Sequence, residues 1–307
     1  MTYKIGVDGG GTKTECILVD AEGEIVARHL APGSNPSVVG AEQARLIVTD
    51  ALCGLLNSAF GNLNASLHAA GRAKIVATHL YMAGSRSFWH ETAATLEDFG
   101  KVVVADDSLP VLELATRGEP GLVLHSGTGS FVAARAPDGA VHYAGGLGWR
   151  FGDAGSGYDL GRRAVARALL ELQGWAPRSR LAVLVRDHTQ LGDGADAGAC
   201  TRFFYQHAEP NRQIAALAPA VLRLASEGDQ TAQQLVTDSV SDLLALASRV
   251  ATTLFSDRAL DTVAAGLSGP ILTHPVVTAT LVSRSPLPLA PIEGAPIDGI
   301  RRLLRRA

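Results

Sequence analysis

Cysteine is scarce in this sequence, and the cysteines that occur are too far apart to form one metal site. Cys16, Cys53 and Cys200 are the three among 307 residues, and no Cys-x-x-Cys spacing occurs. Structural zinc sites and iron–sulfur clusters need several clustered thiolates, so neither is expected. Sparse cysteine is also typical of a reducing compartment, and we therefore expect a cytoplasmic protein.

Long apolar runs and long basic runs are also missing. No apolar stretch approaches about 18 residues, so the sequence predicts no membrane span. A strand-like segment begins at Tyr3 without a basic and apolar leader, and no secretion signal is expected. The formal net charge is −3, and the short basic run at 301–306 surrounds an apolar pair, as in the last turns of a docked helix. A nucleic-acid partner is therefore not expected.

In place of these features, the sequence has a glycine-rich segment that occurs twice. Residues 8–14 carry three consecutive glycines, and residues 126–130 alternate serine or threonine with glycine. Each segment lies between two strand-like runs and is followed by a second turn and a third short strand. The repetition predicts two related lobes that hold one phosphate chain, which indicates a nucleotide-driven phosphotransferase.

The rest of the pattern alternates strands with helices, which predicts two α/β domains. The first would cover 1–117 and receive a returning C-terminal helix at about 297–307, and the second would cover 118–296. Helices are expected at 40–60, 89–98, 155–172, 297–305 and, with one interruption, 178–257. Strands are expected at 75–82, 102–105 and 262–265, and an extended connection at 283–296.

The first glycine segment has the chemistry of a phosphate site. It lacks the Walker A spacing and is followed by a strand-like run instead of a helix. Gly10 and Gly11 would leave backbone N–H groups free and allow a phosphate to approach closely. Thr12 offers a hydroxyl, Lys13 a positive charge, and Asp8 an oxygen to hydrated Mg²⁺. A single glycine is enough for most ordinary hairpins, so three in a row favour a functional role.

A pair of acids follows a buried strand. Asp106 and Asp107 stand at its C-terminal end, which is where ligands bind in α/β sheets. Either carboxylate could accept the proton of an attacking hydroxyl. Either could also cap the following helix, because Asp and Ser favour that position. The residue pattern alone leaves both roles open.

Two further glycine-rich segments indicate ligand contacts. Six glycines among residues 145–157 surround Asp153, and an acid among glycines suits the vicinal hydroxyls of a sugar. Trp149 in this segment would either give a sugar an apolar face or pack inside the fold. The segment 266–270 follows a strand and would either contact a nucleoside through exposed backbone or form a plain strand-to-helix turn.

In order and spacing, these segments resemble the first phosphate loop, the second phosphate loop and the adenosine loop of the sugar kinase, heat-shock ATPase and actin superfamily. The matching residues are Asp8–Thr14, Ser126–Ser130 and Gly266–Pro270. Within it, the chain is similar to the N-acetylglucosamine kinase and glucosamine kinase family, which is related to benzoyl-CoA reductase activator-type ATPases. That similarity lies at Gly33–Pro36, Asp107-Ser108 and Gly145–Gly157. It implies two ribonuclease H-like lobes, as in actin-like ATPases, with a nucleotide and sugar cleft between them.

The resemblance also implies roles for individual residues. Asp107, and not Asp106, would be the catalytic base. Thr12 and Thr128 would contact ATP, beside the backbone of Gly10 and Gly11 and the charge of Lys13. The residues that line the sugar site would be Asn35, Gly129, Ser130, Gly146, Leu147, Gly148 and Asp153. Those that border the adenosine would be Ala216, Gly266 and Pro270.

The resemblance implies an ATP-dependent hexosamine kinase that uses Mg²⁺ and phosphorylates the C6 hydroxyl of N-acetylglucosamine. Glucosamine is the alternative substrate, but its ammonium would want a carboxylate, and no additional acid clearly belongs to the predicted site. An activator-type ATPase would need cluster-ligating cysteines. A non-catalytic sugar sensor that represses transcription would need a DNA-binding helix-turn-helix, and none is visible in the sequence. The resemblance further implies a homodimer.

Overall fold

The computed structural model describes residues 1–61 and 74–306. Contacts between Cα atoms divide the chain into two units, of which unit 1 is Met1–Arg117 with Glu293–Ala307 and unit 2 is Gly118–Ile292. The boundaries expected from the sequence were 117/118 and about 296/297. Ala307, the last residue of the expected returning segment, lies outside the described residues.

Unit 1 contains one five-stranded sheet with helices on both faces. Its strands are β1 Thr2–Gly9, β2 Lys13–Val19, β3 Ile25–Pro32, β4 Lys74–Met82 and β5 Lys101–Asp106. Its helices are α1 Pro36–Val39, α2 Ala41–Phe60, α3 Arg86–Ala93, α4 Ser108–Thr116 and, at the end of the chain, α12 Pro296–Arg306. The first three strands form an antiparallel meander, and β4 and β5 run parallel to β1, in the order β3-β2-β1-β4-β5.

The alternation of side chains along the central strands explains why both faces of this sheet are covered. Val7 of β1 packs in a core with residues of α2, whereas Ile17 of β2 packs with Ile300 of α12 on the other face. Gly6 faces α12, and a Cβ there would lie 2.9 Å from Leu304 Cδ1. The C-terminal helix therefore covers one face of the sheet of unit 1. Such a returning helix was expected from the sequence at 297–305.

Close packing and an ion pair join α12 to α4. A Cβ on Gly299 would lie 2.7 Å from the carbonyl carbon of Pro110, so glycine allows the two backbones to meet. Arg306 Nη1 lies 3.0 Å from Glu113 Oε1, and Arg306 Nη2 donates to Arg117 O at 2.7 Å. The Glu113 carboxylate is fully buried, so its pairing with a cation is required for stability. These contacts hold in place the helix that begins directly after Asp107.

Unit 2 repeats the sheet and adds a larger set of helices. Its strands are β6 Gly121–Ser126, β7 Ser130–Arg135, β8 Val141–Gly145, β9 Ala264–Ser268 and β10 Leu289–Pro291. Its helices are α5 Gly157–Leu172, α6 Leu181–Thr189, α7 Ala197–Gln206, α8 Pro210–Ala215, α9 Ala218–Ser226, α10 Gln230–Leu254 and α11 Pro275–Arg284. Read from the meander, its strand order is β8-β7-β6-β9-β10, which matches the order β3-β2-β1-β4-β5 of unit 1. Strands β6, β7 and β8 form the antiparallel meander, and β9 and β10 run parallel to β6. The predicted duplication is confirmed.

The core of unit 2 lies between this sheet and its helices. Leu122 and Leu124 of β6 are fully buried, and they pack in one cluster with Val165 of α5 and Leu243 of α10. Across residues 1–61 and 74–306, no helix is long and apolar enough to cross a membrane.

Four expected elements differ from the structure. The helical stretch expected at 178–257 is broken at 190–196, close to the expected interruption, and also at 207–209, 216–217 and 227–229. The helix expected at 89–98 begins at Arg86, because the Ser85 side chain caps it, and ends at Ala93. The strand expected at 262–265 runs instead over Ala264–Ser268, because its backbone stays paired with β6. The connection expected to be extended at 283–296 contains the last turn of α11 and the strand β10. Proline is tolerated in β10 because it is an edge strand.

Candidate active site

The first glycine segment is the hairpin between β1 and β2. Gly10 N donates to Lys13 O at 3.0 Å, which closes the turn. A Cβ on Gly9 would lie 2.6 Å from Met82 Sδ and 2.9 Å from Ser34 Oγ, so a larger residue there would displace these side chains. A Cβ on Gly10 or Gly11 would meet no atom closer than 3.4 Å, and neither residue has a positive φ. The two central glycines thus leave the backbone of the turn open, as the close approach of a phosphate requires.

A second segment packs against this hairpin. Ser34 N donates to Gly10 O at 3.0 Å, and the Thr14 hydroxyl donates to Ser34 Oγ at 2.9 Å. A Cβ on Gly33 would lie 2.8 Å from Thr12 N, so no larger residue fits between the two segments. The shape of the first hairpin therefore depends on residues about twenty positions later in the chain.

Asn35 stands directly before the short helix α1. Its Oδ1 accepts the Ser37 N–H at 3.0 Å, so one half of the amide caps this helix. A Cβ on Gly84 would lie 2.9 Å from the same Oδ1, and Ala83 N donates to Gly9 O at 2.8 Å. Asn35 is thus placed where the hairpin and the loop after β4 meet. Its Nδ2 makes no hydrogen bond to the part of the chain that the structure describes.

Three acids lie near the ends of β1 and β5. Burial raises the pKa of Asp8 to about 6, and the charge of Lys13 opposes this shift. The pKa of Asp107 is raised to about 7, first by burial, then by the neighbouring Asp106, and less by Asp8. A carboxyl group with a pKa near 7 can take up and release a proton at neutral pH, as a general base must.

The two neighbouring acids have different partners. Asp106 Oδ1 accepts the Ser108 N–H at 3.0 Å and so serves the first turn of α4. Asp107 makes no such capping bond, and the neighbouring Asp106 instead raises its pKa. The capping role that the sequence left open for both acids therefore belongs to Asp106.

Lys13 has a partner that the sequence analysis did not identify. Its Nζ donates to Glu15 Oε2 at 2.9 Å, and this hydrogen bond raises the pKa of Lys13. Arg28 Nη1 lies 3.7 Å from the other oxygen of Glu15. Glu15 is paired with Asp8 across the two strands, and a charged residue inside the apolar β2 was the available signal. Lys13 Nζ has three N–H groups, so it can donate to a phosphate while it holds this carboxylate.

In unit 2 the second glycine segment joins β6 to β7. Gly127 N donates to Gly129 O at 2.9 Å. The first N–H groups of α5 donate to carbonyls of the loop, from Gly157 N to Gly127 O at 2.8 Å and from Tyr158 N to Thr128 O at 3.3 Å. The helix therefore fixes the loop, while the Thr128 hydroxyl has no hydrogen-bond partner within residues 1–61 and 74–306.

Asp153 connects this loop to the glycine-rich segment after β8. Its carboxylate accepts the backbone N–H groups of Ser130 and Gly148, which lower its pKa, while burial has the larger effect and raises it. Gly146 N donates to Ser130 O at 3.0 Å. Asp153 itself has a φ of +63°, a left-handed conformation that costs a non-glycine residue about 1 kcal/mol or more.

Within unit 2, the residues predicted for the sugar site are in mutual contact. A Cβ on Gly129 would lie 3.0 Å from Asp153 Oδ2, and the Ser130 hydroxyl donates to Ala154 O at 2.6 Å. Leu147 lies between two of the contacting glycines, and its side chain is 67% exposed. The cluster therefore presents backbone groups and one carboxylate, with an exposed aliphatic side chain beside them.

The third predicted segment is a loop only in its last two residues. Gly266 lies inside β9, paired with Val123 of β6 and Ala290 of β10, which corrects the expectation that the loop begins there. The chain leaves the sheet at Gly269, whose φ is +86°. A Cβ on Gly269 would lie 2.7 Å from the carbonyl carbon of Ser126, so this turn contacts the second glycine loop.

Pro270 and Ala216 have different surroundings. A Cβ built on Gly127 would lie 3.9 Å from Pro270 Cδ, so Pro270 adjoins the second glycine loop. Ala216 follows α8 and lines a cavity of about 370 Å³ with residues of α6 and α9. None of the described residues 266–270 lines that cavity. The assignment of Ala216 to the adenosine stays a prediction.

The acids of unit 1, Asp8 and Asp107, suit a cation that keeps its water ligands better than a cation whose ligands all come from the protein. In the two described ranges, no group of three or more His, Cys, Asp or Glu side chains is arranged to hold a metal ion. Burial disfavours the ionised forms of Asp8 and Asp107, and a nearby divalent cation would favour them again. Mg²⁺ usually keeps several waters and takes one or two carboxylates plus phosphate oxygens. These acids therefore fit Mg²⁺ that arrives with a nucleotide.

Comparisons with known proteins connect this site to a family. The sequence model of the BadF/BadG/BcrA/BcrD ATPase family matches residues 5–269. The N-acetylmuramic acid/N-acetylglucosamine kinase of Clostridium acetobutylicum is 25% identical over 243 residues, which are 79% of this chain and 77% of that protein. The glucosamine kinase of Vibrio cholerae is 28% identical over 194 residues, 61% of this chain and 62% of that protein.

A solved structure supports the same relationship. A Chromobacterium violaceum protein that is provisionally named N-acetylglucosamine kinase superposes with a TM-score of 0.79 at 28% identity, and the match covers 98% of both chains. This likeness, with the two matching five-stranded sheets, confirms the expected α/β fold class.

Proposed function

The chain belongs to the BadF/BadG/BcrA/BcrD ATPase family, and we propose that it is an ATP-dependent hexosamine kinase. The observation that carries the proposal is Asp107, a largely buried acid at the end of β5 with a pKa of about 7. It lies in the same unit as a glycine hairpin whose backbone is open. Transfer of a phosphoryl group to a hydroxyl needs a base for the proton and fixed donors for the phosphate charge. The names of the relatives supply the class of acceptor, an amino sugar.

In unit 1, Asp107 would accept the proton of the sugar C6 hydroxyl while the oxygen of that hydroxyl attacks the terminal phosphorus of ATP. The bond from that phosphorus to ADP breaks, so the products are ADP and a hexosamine 6-phosphate. Gly11 would donate its backbone N–H to the phosphates, and Gly10, whose own N–H closes the turn onto Lys13 O, would allow their close approach. The Thr12 hydroxyl would add a second donor. When bound, Mg²⁺ would neutralise phosphate charge, and Asp8 would hold it through water.

In unit 2, the second glycine loop would bind phosphate through the Thr128 hydroxyl. Gly129 and Ser130 would begin the sugar contacts, which continue through Gly146, Leu147, Gly148 and Asp153. Pro270, two residues after the end of β9, would border the adenosine, together with Gly266 inside β9 and Ala216. Asn35 of unit 1 would donate from its amide Nδ2, which is consistent with the use of its Oδ1 in the cap of α1.

We propose N-acetylglucosamine as the preferred substrate and glucosamine as the alternative. Burial raises the pKa of Asp153, the acid of the predicted sugar cluster, and disfavours the ionised form that would pair with the ammonium of glucosamine. A neutral acetamido group requires no such partner. We therefore expect kcat/KM to be at least about tenfold higher for N-acetylglucosamine.

The test is an assay of ADP release with each sugar and without sugar. Sugar-dependent release with N-acetylglucosamine, and a product whose ³¹P nucleus couples to the C6 protons, would support the proposal. A clear preference for glucosamine would overturn the choice of sugar, and phosphate on another carbon would overturn the assignment of the C6 hydroxyl. Binding of sugar without any turnover would favour a non-catalytic sensor.

An activator-type ATPase is the second candidate, because the family model describes ATPases and the resemblance of the sequence includes activator-type members. Its chemistry would need thiolates at one place. Cys16 lies in β2, Cys53 in α2 and Cys200 in α7, and burial raises the pKa of Cys16 to about 12. This placement disfavours a cluster, and ADP release that does not depend on sugar would revive the idea. A cytoplasmic location and a homodimer remain predictions, the second of which size-exclusion chromatography with light scattering would test.

A further inference from the structure

We propose that His125 and Ser268 are positioning residues that fix the second glycine loop against the turn at Gly269, a role that rests on the proposed kinase function. His125 is in β6 and Ser268 is its register partner in the adjacent β9. His125 Nδ1 and Ser268 Oγ lie 3.1 Å apart, within hydrogen-bond distance. Each residue directly precedes one of the two loops in the chain, so the bond joins the loops at their bases.

The imidazole of His125 is held on its other side as well. It stacks on Phe131, its partner in β7, with ring centroids 4.8 Å apart and an interplanar angle of 18°. Burial lowers the pKa of His125 to about 4, so the ring is neutral at neutral pH. A neutral imidazole has one donor and one acceptor nitrogen, which suits a serine hydroxyl and adds no charge beside a phosphate loop. The ring is therefore fixed in position by three adjacent strands.

Both loops approach this ring. A Cβ on Gly269 would lie 3.1 Å from His125 Cε1, and a Cβ on Gly127 would lie 3.9 Å from His125 Nε2. The backbone joins the same loops once more, where Ile271 N donates to Ser126 O at 3.2 Å. The spacing of the two loops thus depends on this backbone bond and the side-chain bond, beyond the ladder of β6 and β9 that ends at His125 and Ser268. A nucleotide that contacts both loops gains affinity from fixed spacing, because less ordering is needed when it binds.

The test is a double-mutant cycle that uses AMP-PNP as the probe. His125→Phe keeps a ring for stacking on Phe131 but removes Nδ1, and Ser268→Ala removes the hydroxyl. We expect each variant to raise the Kd for AMP-PNP about tenfold, and the double variant to be no weaker than the singles. The KM for N-acetylglucosamine should stay within about twofold of wild type.

Two further variants separate positioning from general stability. His125→Asn, whose amide can reach the place of Nδ1, should recover most of the affinity for AMP-PNP. His142→Phe, at an exposed histidine of β8 in the same sheet, should leave Kd unchanged. If His125→Phe fails to fold, Ser268→Ala and His125→Asn still test the pair.

Three results would overturn the inference: unchanged Kd in the single variants, losses that add in the double variant, or an equal rise in the KM for the sugar. Failure of the wild-type protein to bind AMP-PNP is a different result, because it would refute the proposed kinase function itself.

Discussion

The two glycine hairpins occupy the same place in two sheets of identical strand order, yet they are held in different ways. In the first, Gly10 and Gly11 are open, and a buried acid lies close behind the turn at Asp8. In the second, α5 donates two N–H groups to the loop carbonyls, and Asp153 accepts the N–H of Ser130. Duplication has preserved the topology, while the polar groups around each hairpin have diverged.

The difference is one of electrostatics as much as of geometry. The acids of unit 1 have few compensating donors, so burial makes their charged forms costly and brings the pKa of Asp107 into the neutral range. Asp153 in unit 2 is buried too, but its charge is stabilised by two backbone donors. We infer that unit 1 carries the proton chemistry and that unit 2 mainly positions ligands.

The largest expected effect comes from Asp107→Asn, which tests the chemical half of this comparison. The amide cannot accept the hydroxyl proton, so kcat should fall about 10³-fold, within the usual contribution of a general base. Binding of N-acetylglucosamine, measured by calorimetry, should persist within a few fold. Near-normal turnover would remove Asp107 from the role of base.

Asp106→Asn is the matched control for that variant. Its amide oxygen can still accept the Ser108 N–H, so α4 should keep its first turn and kcat should fall far less. In the wild type, kcat/KM should rise with pH through about 7 as Asp107 loses its proton, and this rise should be absent in Asp107→Asn. A larger loss in Asp106→Asn than in Asp107→Asn would exchange the two roles.

These two acids also show what sequence can and cannot predict. The repeated strand–turn–strand pattern is local, so it predicted both hairpins well. The apolar run at 102–105 is local too, and it predicted the end of β5. The choice between capping and catalysis for Asp106 and Asp107 depends on side-chain direction within a turn, and no spacing rule encodes that. The resemblance favoured Asp107, and the hydrogen bond from Ser108 to Asp106 now gives a physical reason.

Errors and omissions followed the same division between local and distant contacts. Gly266 was expected in a loop because glycine is typical of turns, but pairing with strands on both sides keeps it inside β9. The hydrogen bond between His125 and Ser268 joins residues that are 143 positions apart, and no sequence motif around either residue predicts it. Glu15 was visible as a charge inside a strand, although its pairing with Lys13 was not.

A pair of glycine variants gives the next largest effect and tests whether the first hairpin is open for a ligand. A Cβ on Gly11 meets no protein atom closer than 4.0 Å, so Gly11→Ala should keep the thermal midpoint while kcat/KM for ATP falls about 10- to 100-fold. Gly33→Ala would press on the same turn, since its Cβ would lie 2.8 Å from Thr12 N, and should lower the free energy of unfolding by about 1–3 kcal/mol. Equal loss of stability in both variants would mean that Gly11 is needed for packing.

Asp153→Asn tests the positioning half of the comparison and should have a smaller effect. The amide can accept a hydrogen bond but lacks the charge that strengthens the bonds from Ser130 and Gly148, so the loop should loosen. We expect the KM for the sugar to rise about tenfold with a smaller change in kcat, measured by steady-state kinetics. A loss of kcat as large as that of Asp107→Asn, with KM unchanged, would instead give Asp153 a part in the chemistry.

The smallest expected effect is on stability, and it follows from the sign of the Asp107 shift. The pKa of this group is raised from 3.8 to about 7, so the folded chain binds the proton more tightly than the unfolded chain does. Its contribution to stability is complete below about pH 4 and is lost as the pH rises through about 7. Asp107→Asn has no such charge, so it should exceed the wild type in unfolding free energy at pH 8 by on the order of 1 kcal/mol, and match it at pH 4. Denaturant titrations at the two pH values measure this, and a variant less stable than the wild type at pH 8 would mean that the charged carboxylate of Asp107 is stabilised in the folded chain and not held ready for a proton.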